Sequence, residues 1–284
     1  MTAAAPIRDA ATVVLLRPAD GLGQTYRIYF VKRHAKSGFF ANAHVFPGGK
    51  LDASDRAAAV DLNPSQACAR LREDCDGSLA VGLHVAAVRE TFEEAGVLLA
   101  VGAGGDSSGV PGFTGRLDAW RARLSAGDAT FSQMIAAEGL VVGAAALLPW
   151  SRWITPEIEP RRFDTRFFVA ALPDGQEPLH DERETTAGEW LSPDEAITAY
   201  QERRIQLAPP TLRTLEELSD LPTVEAVLAQ RRALHPIRPA FVNDSGAFVL
   251  ALPGDPLYPD QDQTVSQGID RFTLSDGLWV SRRR

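Results

Sequence analysis

Cysteine and histidine are scarce in this chain of 284 residues, which contains two cysteines and five histidines. The histidines form no HExxH pair, so the zinc-protease pattern is absent. Cys68 and Cys75 give neither a disulfide framework nor a CxxC pair. If the segment between them is helical, they lie two turns apart, about 10 Å by helical rise, which is too far to bridge. We therefore expect reduced thiols and a cytoplasmic setting.

Basic residues are fewer than acidic ones, 29 against 37, which gives a formal net charge of −8. This balance argues against broad nucleic-acid binding, because phosphate backbones favour a basic surface. A small anionic substrate is not excluded, since a local basic site or a bound metal can outweigh the global charge. No apolar run approaches the length of a membrane span, and the first residues lack the pattern of a secretory signal. We expect no membrane association.

Short segments rich in β-forming residues predict strands, and segments with helical apolar periodicity predict helices. The predicted strands are Ala11–Leu16, Tyr26–Val31, Val97–Val101, Ala145–Trp150 and Phe163–Leu172. The predicted helices are Leu79–Ala95, Leu117–Ala126, Thr130–Glu138, Ser192–Arg203, Thr211–Ser219 and Thr223–Leu234. Residues 52–78 alternate small, charged and turn residues, which indicates an insert with one short helix from about Pro64 to Glu73.

The character of the sequence changes near Pro209. Two short predicted helices are followed by hairpin-like strands with turns at Asn243–Gly246 and Ser275–Gly277. We expect one domain over residues 1–206 and a C-terminal extension over residues 207–284. The extension would pack on the first domain or contribute a contact to a homodimer.

Three glutamates share one face of the predicted helix Leu79–Ala95. At 100° per residue, Glu90, Glu93 and Glu94 fall within an arc of about 100°. Carboxylates at these spacings repel one another by roughly 0.2–0.5 kcal/mol per pair, and they crowd the helix end where the dipole disfavours anions. A hard divalent cation would compensate them, and oxygen ligands point to Mg²⁺ or Mn²⁺ rather than zinc. The alternative is a solvated acidic face.

The neighbouring residues favour the metal site. His44–Phe46 predicts a further short strand, and Gly48 and Gly49 lie at its end, where exposed backbone could approach a metal or a phosphate. Arg89 could pair with one of the carboxylates and hold its rotamer. Each feature has a bland alternative, a structural turn for the glycines and a surface ion pair for Arg89. Those alternatives are less credible when all the features occur together.

These residues resemble the Nudix box, whose pattern is Gly-x5-Glu-x7-Arg-Glu-U-x-Glu-Glu-x-Gly-U, where U is bulky and aliphatic. Arg89 to Val97 matches the second half except for Thr91, which stands at the first U position. In the first half, Asp55 stands where the pattern has Glu, and about 26 extra residues separate it from Arg89. An insert of this kind is similar to the coenzyme A diphosphatase branch of the Nudix family, and so are the strings Phe46–Asp52 and Arg161–Phe168.

The resemblance implies an α/β/α sandwich with a mixed central sheet, in which a divalent metal supports hydrolysis of a pyrophosphate bond. The implied metal ligands and their orienting residue are Gly48, Gly49, Glu90, Glu93, Glu94 and Arg89. Glu93 and Glu94 would be the principal ligands, and Glu90 a further ligand or a water activator.

Many Nudix enzymes also use a loop glutamate that stands six residues before a tryptophan. Glu184 stands six residues before Trp190, which makes it the candidate general base by this resemblance. Glu182 and Glu189 are the alternatives.

Four arginines are candidates for substrate phosphates, since guanidinium groups suit phosphate geometry: Arg33, Arg161, Arg162 and Arg166. Arg33 has the spacing of a coenzyme A signature, although the residues that follow it depart from that signature. The alternative for the other three is a set of strand-edge charges that pair with Asp164 and nearby acids. Trp150 and Trp153 could stack a base, or belong to the core.

Coenzyme A or acyl-coenzyme A is the substrate that the branch resemblance implies, with 3′,5′-ADP and 4′-phosphopantetheine as products. ADP-ribose, NADH and dinucleotides are alternatives within the same chemistry. An alternative from another class is a Nudix-like module that binds a nucleotide as a sensor without turnover. Such modules usually lose the glutamates of the box, and all three are present here.

Overall fold

A computed structural model describes residues 5–19, 26–34, 42–102, 114–179, 185–260 and 269–283. Its strands are β1 Ile7–Pro18, β2 Tyr26–Arg33, β3 His44–Val45, β4 Gly48–Lys50, β5 Ala100–Gly102, β6 Leu140–Val142, β7 Leu148–Ile154, β8 Arg162–Ala171, β9 Thr185–Leu191, β10 Pro236–Ile237, β11 Ala240–Asp244, β12 Ala247–Ala251, β13 Ile269–Ser275 and β14 Leu278–Arg283. Its helices are α1 Pro64–Leu71, α2 Gly77–Ala95, α3 Thr114–Ala126, α4 Phe131–Ala137, α5 Pro193–Gln201, α6 Pro209–Ser219 and α7 Val224–Leu228. None of these helices is long and apolar enough to cross a membrane.

The central sheet is mixed, as predicted, with the strand order β10-β7-β8-β1-β2-β3. β1 runs parallel to β8 and antiparallel to both β2 and β4. β4 pairs with the first half of β1, at Ala10–Thr12, whereas β2 pairs with its end, at Leu16–Pro18. The two glycines of β4 therefore lie beside β1 at the point where β1 changes partner.

The sheet is covered on both faces, which explains why β1 is apolar almost without interruption from Ala11 to Leu16. Ala11 and Val13 belong to the core cluster that contains the apolar residues of α2. Val14 and Leu16 belong to the cluster formed with α5, α6 and the C-terminal strands. The predicted α/β/α sandwich is confirmed.

Helix α2 carries the predicted acidic face and has well-defined ends. Asp76 caps its N-terminus by accepting a hydrogen bond from the Leu79 backbone N–H at 3.0 Å. Gly96 ends it in the left-handed conformation, with φ 68°, and its N–H donates to the Phe92 carbonyl. The prediction of this helix and its glycine end is confirmed, with a start two residues earlier.

The chain after Gly96 is irregular until β5, although a strand was predicted from Val97. The backbone groups of Leu98 bond to a side chain instead of a neighbouring strand. The Gln176 amide accepts from the Leu98 N–H at 2.8 Å and donates to the Leu98 carbonyl at 2.9 Å. This satisfies the buried polar groups that a sheet would otherwise pair.

The segment from residue 207 onward contributes to two sheets. β10 extends the central sheet beside β7, and β11 to β14 form a separate antiparallel sheet. Both predicted hairpin turns are confirmed, with positive φ angles at Ser245 and Gly246 and at Asp276 and Gly277, as in type I′ turns. The helix predicted from Thr223 is shorter than expected and ends at Leu228.

The expected separation of the two cysteines is wrong. Helix α1 ends at Leu71, and Arg72 takes the left-handed conformation, which turns the chain back. The Cys68 and Cys75 sulfurs therefore lie 3.5 Å apart, as two free thiols. The estimate failed because it assumed a helix that continues to Cys75.

Candidate active site

A cavity of about 610 Å³ lies between the central sheet and the C-terminal elements. One end reaches the acidic face of α2 and the glycines of β4. The floor consists of residues of β1, β7 and β8, and the opposite wall comes from residues after 207. The predicted acidic face therefore opens into a cleft large enough for a small-molecule ligand.

The glycines of β4 pack directly against the acidic face. The Gly48 N–H donates a hydrogen bond to Glu94 Oε2 at 2.9 Å. A Cβ atom on Gly49 would collide with the Glu90 carboxylate, and one on Gly48 would collide with Thr12. Gly48 is therefore required by the close approach of β4 to β1, and a side chain at Gly49 would displace the Glu90 carboxylate.

Arg89 forms ion pairs with carboxylates of the acidic face and with Asp55. Its guanidinium bonds Asp55 twice, from Nε at 2.8 Å and from Nη2 at 3.0 Å. Its Nη1 donates to Glu90 at 2.8 Å and lies 3.5 Å from Glu93. Burial alone would lower the pKa of Arg89, but the hydrogen-bonded Asp55 and the neighbouring carboxylates outweigh it and raise the pKa above its ordinary value. Arg89 is therefore permanently charged and fixes the Glu90 rotamer.

Asp55 is a site residue that sequence reasoning left without a role. Its side chain is 1% exposed and accepts the Asp52 N–H at 2.8 Å in addition to its two bonds with Arg89. It stands at the pattern's first acidic position, and the shorter carboxylate still reaches the arginine. Its spacing from Gly49 was the available signal.

The four predicted phosphate-binding arginines separate into two groups. Arg33 and the exposed Arg161 line the cavity. Arg166 is 2% exposed and pairs with Asp9, Glu73 and Asp164 on the other face of the sheet. Arg162 is also buried, with bonds to the Thr155 and Ala5 carbonyls. For Arg166 the structure supports the alternative of ion pairing, because its charge is already satisfied.

Aromatic side chains line much of the cavity away from the acidic face. Trp153 lines it, whereas Trp150 is buried and its Nε1 donates to Glu217 at 3.0 Å. The C-terminal residues Phe241 and Trp279 also line it, and sequence reasoning did not single them out. No local pattern connects residues so far along the chain with β1 and α2.

Comparison with known proteins decides the family. Residues 69–218 match the family described as the NUDT19 Nudix domain. The chain belongs to the Nudix hydrolase family. It is 32% identical to the acyl-coenzyme A diphosphatase NUDT19 of Gallus gallus, over 96% of this chain and 85% of that protein. The Homo sapiens protein of the same name is 30% identical, over 85% of this chain and 73% of that protein.

A solved Nudix structure agrees with this assignment. The NUDIX hydrolase from Alicyclobacillus acidocaldarius is 28% identical and superposes with a TM-score of 0.62, covering 82% of this chain and all of that one. The superposed part of this chain is longer than residues 69–218. The structural likeness therefore extends beyond the segment that matches the family model.

The loop glutamate predicted as general base in this Nudix chain, Glu184, lies outside the described residues, and so does Glu182. The other alternative, Glu189, is described. Its carboxylate lies 3.6 Å from His44 Nε2, and its side chain is half exposed. Burial lowers the pKa of His44 to about 4, with a smaller contribution from Lys32, so His44 is neutral at pH 7.

The donor set of the Nudix helix suits a hard cation. Carboxylate oxygens of Glu90, Glu93 and Glu94 face the same cavity as the β4 backbone. Within the described ranges no three acidic, histidine or cysteine side chains already form a ready-made metal site. Two of these glutamates instead pair with Arg89. The residue chemistry therefore fits Mg²⁺ or Mn²⁺, which prefer oxygen ligands.

Proposed function

We propose that this protein hydrolyses the pyrophosphate bond of coenzyme A or an acyl-coenzyme A, releasing 3′,5′-ADP and the 4′-phosphopantetheine half. The observation that carries the proposal is the acidic face of α2, which opens into the cavity beside Gly48 and Gly49. The substrate class is supported by the relatives named acyl-coenzyme A diphosphatase, which match most of this chain and most of their own length.

We propose that Glu93 and Glu94 hold the divalent cation, with Glu90 as a further ligand and the Gly48 and Gly49 backbone beside it. When bound, Mg²⁺ or Mn²⁺ supplies neutralisation of the charge on the pyrophosphate oxygens. The oxygen donors of the acidic face and the close approach of Gly49 to the Glu90 carboxylate support this assignment.

The remaining roles belong to residues of the chain itself. Arg89 keeps the Glu90 carboxylate turned toward the cavity through their 2.8 Å bond. Arg33 and Arg161 line the cavity and supply positive charge for the substrate phosphates. Glu184 is proposed to accept the proton of the attacking water, because it stands six residues before Trp190, like the loop glutamate of many Nudix enzymes.

The test is a hydrolysis panel with purified full-length protein. Coenzyme A, acyl-coenzyme A, ADP-ribose, NADH and diadenosine polyphosphates are incubated with Mg²⁺ or Mn²⁺, and the products are separated chromatographically. We expect release of 3′,5′-ADP from coenzyme A or its thioesters, abolished by EDTA and by Glu94→Gln. Glu177→Gln is the matched control, because the Glu177 side chain is 78% exposed and does not line the cavity.

The other outcomes are equally informative. Preference for ADP-ribose or NADH would keep the pyrophosphatase chemistry and reject the coenzyme A assignment. Nucleotide binding without turnover of any substrate would support the alternative of a sensing module. A Glu184→Gln variant with undiminished kcat would remove that residue from the proposed mechanism.

We propose a catalytic domain over residues 1–206, a C-terminal extension over residues 207–284 and a cytoplasmic homodimer. Sedimentation of the purified protein tests the dimer, and cell fractionation tests the compartment.

A further inference from the structure

The wall of the cavity that faces the central sheet comes from the C-terminal extension. Phe241 of β11, Leu250 of β12 and Trp279 of β14 line it, together with three prolines at positions 209, 210 and 239. None of these residues belongs to the acidic face or to β4. The extension therefore forms part of the binding cavity and does more than cover the catalytic domain.

The aromatic residues of this wall form a connected group on one face of the small sheet. The rings of Phe241 and Phe248 are stacked, with centroids 5.0 Å apart. Trp279 lies 6.5 Å from Phe241 and 6.2 Å from Phe248. Such ring contacts fix the orientation of the side chains that face the cavity.

Hydrogen bonds to its backbone also hold Trp279 in place. Its backbone N–H donates to the Tyr200 hydroxyl at 2.6 Å, and that hydroxyl donates to the Trp279 carbonyl at 3.1 Å. Ser281, two residues along β14, donates a short hydrogen bond to Glu216 of α6. These bonds fasten β14 to α5 and α6, so the position of the indole is set by the helices beneath the sheet.

Aromatic residues also border the cavity on the side of the central sheet. They are Trp153 of β7 and Phe163 and Phe167 of β8, of which Trp153 and Phe167 are only 5% and 7% exposed. The space between these residues and the pair Phe241 and Trp279 is called the aromatic slot. It lies in the same cavity as the acidic face of α2.

We propose that the aromatic slot binds the planar base of the nucleotide half of the substrate. This proposal rests on the proposed function, since it places one half of the cleaved molecule. Aromatic walls suit a flat ring, because stacking uses the faces of both partners. Arg8 and Arg161 line the same cavity, where their charge complements the phosphates attached to the nucleotide. A flexible acyl chain would gain no comparable benefit from rings over aliphatic side chains.

The test compares Trp279→Leu with the parent protein by calorimetric titration of 3′,5′-ADP and 4′-phosphopantetheine. Leucine retains apolar contact and removes the stacking surface. We expect binding of 3′,5′-ADP to weaken by about 5- to 150-fold, the usual range for one lost base–aromatic stack. Binding of 4′-phosphopantetheine should stay within twofold. Val280→Ala, at an exposed neighbouring position, should change neither.

Phe241→Leu is the second variant, and circular dichroism confirms that each variant is folded. Equal binding of 3′,5′-ADP by parent and both variants would overturn the proposal. So would a KM penalty that grows with acyl-chain length, because the slot would then hold the acyl arm.

Failure of the proposed function would be distinguishable from failure of the slot. If coenzyme A is not hydrolysed, adenosine diphosphate, ADP-ribose and NADH are titrated in the same way. Weaker binding of any of them by Trp279→Leu would retain the slot and reject only the coenzyme A assignment. A parent protein that binds none of these nucleotides would overturn the slot.

Discussion

The contact between Asp55 and Arg89 gives a sharp prediction, because it joins the start of the insert to the acidic helix. Asp55→Asn keeps the size of the side chain and removes its charge. Both partners are buried, with side chains 1% and 7% exposed. Removing one partner of a buried pair destabilises a protein by about 3–5 kcal/mol. Since Glu90 and Glu93 still neutralise the guanidinium, we expect the lower end, about 3 kcal/mol.

Urea unfolding at pH 7.5 measures this loss, and Asp52→Asn provides the matched control. Asp52 lies 4.0 Å from Arg89, and its side chain is 43% exposed, so its removal should change stability by less than about 1 kcal/mol. Asp55→Asn should also lower kcat by roughly tenfold or more, because Arg89 loses the bonds that orient it. Equal stability of the two variants would refute the assignment of Asp55 as the anchor of Arg89.

Three other perturbations follow from buried contacts. Gly49→Ala should lower kcat by about 100-fold with little change in the far-ultraviolet spectrum, because its methyl group displaces the Glu90 carboxylate; near-normal turnover would show that the approach is not required. Burial lowers the pKa of His84 to about 4, so its contribution to the free energy of unfolding is full above pH 6.5 and falls as the pH drops toward 4. The loss should be roughly 2 kcal/mol at pH 5. Urea unfolding should show this pH-dependent loss in the parent and not in His84→Gln. Burial and the neighbouring thiol of Cys68 raise the pKa of Cys75 to about 12, so peptide mapping should find little alkylation of Cys75 by iodoacetamide at pH 8, and rapid labelling would contradict the assigned environment.

The helix that carries the acidic face was predictable because its signals are local. Its apolar periodicity, its three glutamates and the glycine after Ala95 all lie within twenty residues. The sequence also identified Gly49 by its spacing, and the structure adds the reason, since the Glu90 carboxylate occupies the space of a side chain. Hairpin turns were predictable on the same grounds, because residue pairs such as Ser245 and Gly246 encode their own conformation.

Contacts between distant residues were not predictable from spacing. Arg161, Arg162 and Arg166 are close in sequence, yet only Arg161 lines the cavity. Alternation along β8 places Arg166 on the opposite face, where the carboxylates of Asp9, Glu73 and Asp164 neutralise it. The pattern of basic residues shows neither which face of the strand is enclosed nor which acids approach it. The contribution of Trp279 to the cavity was hidden for the same reason.

The two ends of the insert within the Nudix box each form ion pairs with a different part of the site. At its start, Asp55 fixes Arg89 beneath the acidic face. Near its end, the buried Glu73 accepts hydrogen bonds from Arg152 of β7 at 2.7 Å and from Arg166 of β8 at 3.1 Å.

The alternate residues of β8, Phe163 and Phe167, point to the other face and line the cavity. Glu73 thus fixes, from behind, the strand that carries one wall of the aromatic slot. The insert therefore adds a second anchor between the acidic helix and the binding wall. It does so without placing any insert residue after Asp52 in the cavity itself.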